Sequence, residues 1–354
     1  MVARGDTRPV SIGGITIGGG APIAVQSMTT ADTSDPAATL AQIAELAAAG
    51  CEIVRVAVPR ADALDGFAAI CAAAPLPVVA DIHFDHELAI EAARRGASKL
   101  RVNPGNIGSL DKVDAVIDAA GEAGIPIRIG VNAGSLAEEY RDRDWPLADK
   151  LVASAVAFTE HFESRGFTDI VLSAKASSVV STVQAYRALA GLVSYPLHVG
   201  VTEAGTSLSG TVKSAVGVGI LLAEGIGDTI RVSLTADPVD EVLVAGEILA
   251  ALDLRRRTAE LVSCPTCARC QVDLIPIAEE IDRRLRERPS ALKVAVMGCV
   301  VNGPGEAREA DIGVAAGQGV GLIFAKGEPL RKVPESEIVD ALMDEIDRIE
   351  GRTP

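Results

Sequence analysis

Short apolar runs alternate with longer, Ala-rich segments of helical period from about residue 23 to residue 252. The runs have the length and β-branched content of buried strands, and many of the intervening segments end in glycine, as helices commonly do. Eight strands alternating with eight helices over about 230 residues are typical of an α/β fold, the (β/α)8 TIM barrel. The predicted strands are IAVQSMT (23–29), EIVRVAV (52–58), PVVADIHF (77–84), KLRVNPG (99–105), PIRIGVN (126–132), IVLSAK (170–175), LHVGVTEAG (197–205) and TIRVSLT (229–235).

A doubly wound parallel sheet is the competing architecture for this alternation. That fold carries a Gly-rich phosphate-binding turn after its first strand, whereas the corresponding sequence here is QSMTTADTSDP. The barrel is therefore favoured. Upstream of it, RPVSIGGITIGGG alternates apolar and polar residues around Gly turns, which predicts a β-hairpin.

The pattern changes after residue 252, where a basic stretch runs into a cysteine cluster, LRRRTAELVSCPTCARC. A charged helix over about 272–288, a strand KVAVMG, a Gly-rich loop CVVNGPGEA and an amphipathic helix over about 335–350 follow. We therefore expect two domains. Residues 1–255 form the barrel, and residues 256–354 form a smaller α+β domain.

The charge balance excludes several classes of partner. The 354-residue chain has 33 Lys and Arg residues against 48 Asp and Glu residues, a net charge of −15. Such a surface repels nucleic acid and anionic membranes. No apolar run is long enough to cross a bilayer, and the first residues lack the apolar core of a signal peptide. We expect a cytoplasmic protein whose six cysteines stay reduced.

Polar side chains recur two residues apart on several predicted strands, which places them on one face of each strand. A barrel interior is normally filled by Val, Ile and Leu, and the active sites of barrels lie at the C-terminal strand ends. Any one of these charges could instead lie in solvent or in a structural ion pair. Together, five inward cations indicate a site for a multiply charged anion such as a diphosphate, because Arg binds phosphate oxygens in pairs. They are Arg55, Arg101, Arg128, Lys175 and Arg231.

Further polar residues accompany these cations on the inward faces or just beyond the strands. Two histidines, His83 and His198, lie on strands that face the predicted site. Other side chains are of the types that orient hydroxyl groups or move protons in enzymes. They are Asp81, Asn103, Asn132, Thr202 and Glu203.

Cysteines at C-x-x-C spacing in CPTCARC, followed by a distant one in MGCVVNGPGE, indicate a metal or cluster site. The spacing alone suits structural zinc and an iron–sulfur cluster equally well. Cys51 and Cys71 lie among apolar helix residues and are expected to be core thiols. The cysteines of the C-terminal pattern are Cys264, Cys267, Cys270 and Cys299.

Nine motifs in this order resemble the (E)-4-hydroxy-3-methylbut-2-enyl diphosphate synthase family over about residues 5–350: VQSMT, VRVAVP, ADIHFD, LRVNPGNIG, IRIGVNAGSL, S-x-KAS, GVTEAG, SCPTC and GCVVNGPGEA. The resemblance implies reductive ring opening and dehydration of 2-C-methyl-D-erythritol 2,4-cyclodiphosphate in the methylerythritol phosphate route to isoprenoids. Ferredoxin or flavodoxin would supply the two electrons. The resemblance further implies a homodimer. It also implies that the C-terminal domain is similar to sulfite and nitrite reductase modules and carries a [4Fe–4S] cluster.

The resemblance also implies roles for single residues. It implies that the five cations bind the diphosphate, that Thr202, Glu203 and Ser233 contact the substrate, and that Asn302 lies beside the cluster. Glu203 is the expected proton donor. Cys270 departs from the family pattern, and we expect Glu306 to remain the fourth, exchangeable ligand. The cluster ligands implied are Cys264, Cys267, Cys299 and Glu306.

Two rivals from other classes stay open at this point. A barrel of the pterin-binding synthase type with a zinc-ribbon-like tail predicts a colourless zinc protein. A non-catalytic iron–sulfur sensor that binds a phosphorylated metabolite predicts a coloured protein without turnover. Asp81 and Glu203 beside the anion site favour an enzyme over a sensor, because sensing needs no proton-transfer groups there.

Overall fold

The computed structural model describes residues 4–299 and 309–352. The chain divides into two compact units, Met1–Leu252 and Asp253–Pro354. The boundary expected from the sequence, between residues 255 and 256, lies three residues further along the chain. No helix in the described part of the chain is long and apolar enough to span a membrane.

The predicted hairpin is confirmed as β1 (Val10–Ile12) and β2 (Ile15–Ile17), which pair antiparallel. Its turn requires glycine at Gly13, because φ there is +54° and an added Cβ would lie 2.8 Å from the Cβ of Pro77. Apolar hairpin side chains close the N-terminal end of the barrel. Val10, Ile12 and Ile17 pack with inward residues near the start of four barrel strands, namely Ala24, Ile53, Val79 and Val171.

Eight parallel strands form the barrel, and they confirm the predicted TIM fold. They are β3 (Ala24–Met28), β4 (Ile53–Ala57), β5 (Val78–Asp81), β6 (Lys99–Val102), β7 (Ile127–Asn132), β8 (Ile170–Lys175), β9 (His198–Val199) and β10 (Thr229–Ile230). They pair in the order β8-β7-β6-β5-β4-β3-β10-β9, and a parallel bridge between Leu172 and Leu197 joins the two edges. The last two strands are shorter than predicted, although Arg231 N still donates to Val199 O at 3.1 Å beyond them.

Helices connect the barrel strands and bury their apolar faces against them. The first begins after Asp35, whose side chain accepts a hydrogen bond from Ala38 N at 3.0 Å, and ends at Gly50 with φ +111°. Cys51 is buried in the core that forms, as predicted, and Cys71 packs half-buried against it. The helices are α1 (Pro36–Ala49), α2 (Leu64–Ala73), α3 (His86–Arg94), α4 (Pro104–Ile107), α5 (Leu110–Ala123), α6 (Glu138–Arg141), α7 (Leu147–Ser164), α8 (Val179–Leu192), α9 (Ser207–Ala223) and α10 (Pro238–Ala251).

In its described residues, the second unit is a five-stranded sheet with two helices packed on one face. Its strands are β11 (Glu260–Ser263), β12 (Lys293–Met297), β13 (Ile312–Gly317), β14 (Val320–Ala325) and β15 (Glu328–Pro334), ordered as in the chain. The first three run parallel and the last two antiparallel. Helices α11 (Leu274–Arg286) and α12 (Ile338–Ile349) bury Ile281, Leu285, Leu342 and Ile346. The predicted α+β character, both helices and the KVAVMG strand are therefore confirmed.

Candidate active site

An open cleft of about 410 Å³ lies among residues at the C-terminal ends of the barrel strands. Nine of its ten lining residues are predicted site residues, and the tenth is His83, which was expected on a strand that faces the site. All five predicted cations line this cleft. The alternative that they lie separately in solvent is therefore wrong. The lining residues are Arg55, Asp81, His83, Arg101, Arg128, Asn132, Lys175, Thr202, Arg231 and Ser233.

Asp81, the last residue of β5, gathers three of these side chains around its buried carboxylate. Arg101 Nη1 lies 3.1 Å from Asp81 Oδ1, while Arg55 Nε and His83 Nε2 lie 3.8 Å and 3.3 Å from Oδ2. Burial alone would raise the pKa of the Asp81 carboxyl, but Arg55, His83 and Arg101 together lower it below its usual range. The carboxylate is therefore ionised and fixes the direction of two guanidinium groups.

Arg101 is held from a second side by Asn132 at the end of β7. With the amide oriented to satisfy both of its groups, Asn132 Oδ1 accepts from Arg101 Nη2 at 3.0 Å and its nitrogen donates to Val131 O at 3.2 Å. Only Nε of Arg101 lacks a partner among the described residues. The guanidinium is thus positioned before any ligand binds.

Arg128 and Arg231 retain unused hydrogen-bond donors. Arg128 Nη1 donates to Ser173 Oγ at 2.7 Å, but its Nε and Nη2 have no partner within the described ranges. Arg231 donates to Ser233 Oγ and, at 3.1 Å, to Glu241 Oε1, whereas its Nε has no partner there. Buried donors without acceptors are costly, so these groups favour an anion with several oxygen atoms.

Burial and mutual repulsion make the cation cluster unfavourable without an anion. Burial, followed by the charges of Arg55 and Arg101, lowers the pKa of the Arg128 guanidinium well below its ordinary value. Arginine nevertheless stays protonated in proteins, so the repulsion is relieved when a negative ligand enters. The cleft is therefore electrostatically suited to a polyanion despite the overall charge of −15.

Glu241 on α10 belongs to this site, and the sequence analysis missed it. Its Oε1 accepts from Arg231 Nη2 at 3.1 Å and from Leu234 N at 2.9 Å, and its Oε2 accepts from Ser27 Oγ at 3.2 Å. The sequence did contain a signal for this residue, because Glu241 is a carboxylate on the apolar face of its helix, the face that also carries Ala245. Buried carboxylates need partners, and this one orients Arg231.

Three predicted residues do not line the cleft. The Asn103 amide donates to Ser135 O at 2.9 Å and to Ser135 Oγ at 3.0 Å. Glu203 is exposed in the segment after β9 and has a left-handed φ of +51°. His198 is fully buried and does not line the cleft. Asn302 and Glu306 lie outside the described residues.

Two predicted cluster ligands lie at one edge of the sheet in the second unit. The parallel pairing of β11 with β12 aligns Ser263 with Val296. Cys264 therefore follows β11 at the edge where Cys299 follows β12. Gly298 N donates to Cys264 Sγ at 3.3 Å, which ties the two cysteine segments together.

Cys270 is directed back toward its own segment. Its Sγ donates to Val272 O at 3.3 Å and lies 2.5 Å from the position a Cβ would take at Gly298. Cys267, the remaining cysteine of this segment, is exposed, and its carbonyl accepts from Cys270 N at 2.9 Å. Cys270 thus fills the space beside Gly298, and only glycine leaves room for it there.

Within residues 4–299 and 309–352, no group of three or more His, Cys, Asp or Glu side chains is spaced to hold a metal ion. Glu306 of the predicted ligand set lies outside these ranges. The chemistry of the donor set nevertheless fits an iron–sulfur cluster, because such clusters are held by cysteine thiolates from C-x-x-C segments and a distant cysteine. The shared sheet edge of Cys264 and Cys299 is consistent with that arrangement.

The chain is similar to known proteins along almost its whole length. The model of the GcpE TIM-barrel domain matches residues 7–246, and that of the GcpE protein C-terminal domain matches residues 260–348. Relatives named 4-hydroxy-3-methylbut-2-en-1-yl diphosphate synthase (flavodoxin) occur in Geobacter sulfurreducens, 56% identical over 98% of both chains, and Clostridium acetobutylicum, 53% identical over 98% of this chain and 99% of the relative. The Symbiobacterium thermophilum relative is 52% identical over 100% of this chain and 98% of its own.

Solved structures of dihydropteroate synthases also match, over part of the chain. The Stenotrophomonas maltophilia enzyme gives a TM-score of 0.52 at 15% identity, over 70% of this chain and 98% of its own. At that identity the likeness shows the TIM-barrel fold alone. The two family models and the relatives more than half identical over nearly the full length show that the chain belongs to the GcpE family.

Proposed function

We propose that this chain is a flavodoxin-dependent oxidoreductase of isoprenoid biosynthesis, which converts 2-C-methyl-D-erythritol 2,4-cyclodiphosphate into (E)-4-hydroxy-3-methylbut-2-enyl diphosphate. The observation that carries the proposal is the convergence of five cations with unused donors in one cleft. The names of the relatives, which state the product and flavodoxin, support it. Ferredoxin is the alternative donor, and location in the cytoplasm stays a prediction.

The barrel binds the diphosphate and sets its orientation. Arg128 and Arg231 offer unpartnered N–H groups, and Arg101 is fixed by Asp81. Binding in this geometry removes much of the entropic cost of reaching the transition state. Hydroxyl and amide groups bind the remainder of the substrate, and the proposed contacts are Thr202, Ser233, Asn132, Asn103 and Asn302.

Glu203 is the proposed proton donor for dehydration. A hydroxyl group leaves readily only as water, so a proton must reach its oxygen as the carbon–oxygen bond breaks. Glu203 lies one residue beyond the cleft residue Thr202, on exposed chain. Its left-handed backbone is sterically restricted for a side-chain-bearing residue, which is consistent with a position held for function.

The second unit, Asp253–Pro354, includes the predicted domain 256–354 and is the proposed cluster domain. Cys264, Cys267, Cys299 and Glu306 would hold a [4Fe–4S] cluster, with Asn302 beside it. When bound, such a cluster passes electrons singly and, with a carboxylate among its ligands, offers an exchangeable iron site. The part of this unit is to hold the cluster with these side chains and to limit its contact with bulk water.

Replacing Cys270 by serine is expected to leave iron and sulfide content unchanged. The thiol bonds to Val272 O beside Gly298, and the smaller hydroxyl group of serine fits the same place and can donate to the same carbonyl. Iron and acid-labile sulfide per chain, counted after anaerobic purification, check this. Loss of iron would make Cys270 a ligand and would leave Glu306 without its proposed role.

The function itself is tested with protein purified anaerobically. About four iron and four sulfide per chain are expected for a [4Fe–4S] cluster, together with product formation from the cyclodiphosphate when reduced flavodoxin is supplied. A colourless protein with zinc would favour the pterin-synthase-like rival. A coloured protein that binds the cyclodiphosphate but never turns it over would favour the sensor.

Homodimer formation is proposed from an apolar stripe on α9. Large apolar side chains are exposed here at four-residue spacing, which places them on one helix face. Contiguous exposed apolar surface of this kind marks interaction sites, and a second copy can cover the same stripe around a twofold axis. The stripe consists of Leu208, Val212, Val216 and Ile220, and Val180 and Leu192 of α8 are also exposed.

Val212→Glu is expected to convert the dimer into monomers, because a buried unpaired carboxylate costs several kcal/mol. Molar mass by light scattering at matched concentration measures the effect. Lys213→Glu is the control, since Lys213 is exposed beside Val212 without belonging to the stripe. A dimer that survives Val212→Glu would place the interface elsewhere, and a monomeric unsubstituted protein would refute the dimer.

A further inference from the structure

In the part of the chain that the structure describes, Lys175 has no partner of opposite charge, unlike three of the four cleft arginines, Arg55, Arg101 and Arg231. It ends β8 with 7% of its surface exposed. Among the described residues, its ammonium group has neither a hydrogen-bond acceptor nor a carboxylate within ion-pair distance, whereas Arg55 and Arg101 both face Asp81. Its Nζ lies against Gly200, where an added Cβ would be only 2.9 Å away.

The surroundings of Lys175 are mostly cationic. Parallel pairing sets Lys175 beside Asn132 of β7. Among residues 4–299 and 309–352, only two carboxylates, Asp81 and Glu241, belong to the cluster, and both already bind arginines. The titratable and charged groups that face Lys175 are Arg128 from β7, His198 from β9, Arg231 from the chain after β10, Arg55 from β4, Arg101 from β6 and Asp81 from β5, with Glu241 of α10 behind Arg231.

Burial and these like charges both disfavour the ammonium form. Burial is the largest cause that lowers the pKa of Lys175 well below its ordinary value. The neighbouring positive charges lower this pKa further, and they belong to Arg128, Arg231, Arg55 and Arg101. The arginines keep their protons because guanidinium is far less acidic than ammonium. The lysine is therefore the member of the cluster that relieves the repulsion by losing a proton.

We propose that Lys175 is a neutral amine in the empty cleft and takes up one proton from solvent when the cyclic diphosphate binds. The proposal deepens the proposed function and rests on it for the identity of the ligand. A new N–H bond forms at Nζ, and no electron is transferred. The substrate's anionic oxygens then face a full set of five cations, so the protein completes the charge match only in the bound state.

The chemistry of the ligand makes this uptake measurable. Each phosphorus atom of the cyclodiphosphate is esterified and carries a single, strongly acidic oxygen. The ligand charge therefore stays constant across neutral and mildly alkaline pH, and any proton bound belongs to the protein. Without a reductant the reaction cannot proceed, so binding can be studied with the true substrate.

The reaction itself benefits from the protonated lysine. Cleavage of the ring carbon–oxygen bond leaves the electron pair on a phosphate oxygen, so the diphosphate gains negative charge as the ring opens. An ammonium group already in place stabilises that developing charge. A permanent ammonium would do so too, but at the cost of repulsion in the empty cleft.

Calorimetric titration of the whole protein with cyclodiphosphate tests the proposal. At about pH 8, heats measured in buffers of different ionisation enthalpy are expected to show uptake of about one proton per site. Lys175→Arg, which is permanently charged, is expected to show uptake near zero. Lys99→Met is the matched control, because Lys99 is also a buried lysine but bonds to Gln26 and does not line the cleft. Its uptake is expected to equal that of the unsubstituted protein.

The dependence of affinity on pH is a second readout. Above the pKa of the free lysine and below that of the bound one, affinity is expected to fall by up to about tenfold per pH unit, because binding then requires a proton. At pH values below the pKa of Lys175 in the empty cleft, the affinity no longer changes with pH. For Lys175→Arg the affinity is expected to stay flat over the same range.

The outcomes separate this proposal from the function on which it rests. A folded protein that fails to bind cyclodiphosphate would refute the proposed substrate. Binding without proton uptake, or uptake that persists in Lys175→Arg and disappears in Lys99→Met, would overturn the role of Lys175 alone. If Lys175→Arg does not fold, Lys175→Gln serves in its place, with weaker binding and no uptake expected.

Discussion

Replacing Arg101 by alanine is expected to lower kcat/KM for the cyclodiphosphate by about 30- to 5,000-fold while leaving the iron content unchanged. Truncating one partner of a buried hydrogen-bonded charge pair costs about 2–5 kcal/mol, which converts to that range. Arg101 forms such a pair with Asp81 at 3.1 Å and also meets Asn132 at 3.0 Å. Steady-state kinetics with reduced flavodoxin measure the change.

Arg165→Ala is the control for this experiment. Arg165 is an exposed arginine of the barrel unit that bonds to Asp118, and exposed pairs contribute little. Its kcat/KM is expected to match that of the unsubstituted protein. If Arg101→Ala lost iron as well as activity, the division of labour between a binding barrel and a separate cluster domain would be wrong.

Cys264→Ser is expected to reduce iron and sulfide content sharply and to abolish turnover, without loss of cyclodiphosphate binding. A serine hydroxyl is a harder and far less acidic ligand than a thiol, so it holds cluster iron poorly. Metal analysis, the absorption spectrum and calorimetric titration with cyclodiphosphate check the three parts of this expectation. Retained binding is the informative part, because it would show that the anion site works without the cluster.

Cys71→Ser is the matched control for Cys264→Ser. Burial raises the pKa of the Cys71 thiol to about 12, so this group stays protonated and is a poor metal ligand. Its iron content is expected to equal that of the unsubstituted protein. A Cys264→Ser protein with full iron content would refute the proposed ligand set, and one that instead loses zinc would point to a structural metal site.

The barrel and most of its cleft were predictable because both follow from the strand pattern. The alternation of strands with helices indicates the barrel, and the alternation of side chains along each strand indicates which residues point inward. A period of two tells which face each side chain takes, so Arg55, Asp81, Arg101 and Arg128 could be grouped before their distances were known. Parity does not tell how far a strand extends or where a loop turns. Asn103 therefore bonds to Ser135 instead of lining the cleft, and Glu203 lies exposed on a loop.

Helix residues that support the site were harder to predict than strand residues. Glu241 reaches Arg231 across the packed interface between α10 and the barrel, and no local spacing links the two residues. The cysteine pattern had a different limit. The spacing predicted that Cys264 and Cys299 belong to one site. Cysteine sulfur binds both zinc and iron–sulfur clusters, however, so the residue type alone cannot distinguish the two.

The apolar hairpin that closes the N-terminal end of the barrel also bears on metabolic flux. Within the described part of the chain, Val10, Ile12 and Ile17 fill that end of the barrel, so we expect product to leave at the C-terminal strand ends, where substrate enters. Both molecules carry a diphosphate for the same cations. Accumulating product is thus expected to compete with substrate for the cleft. When later enzymes consume the product slowly, it would therefore slow this reaction without a separate regulatory site.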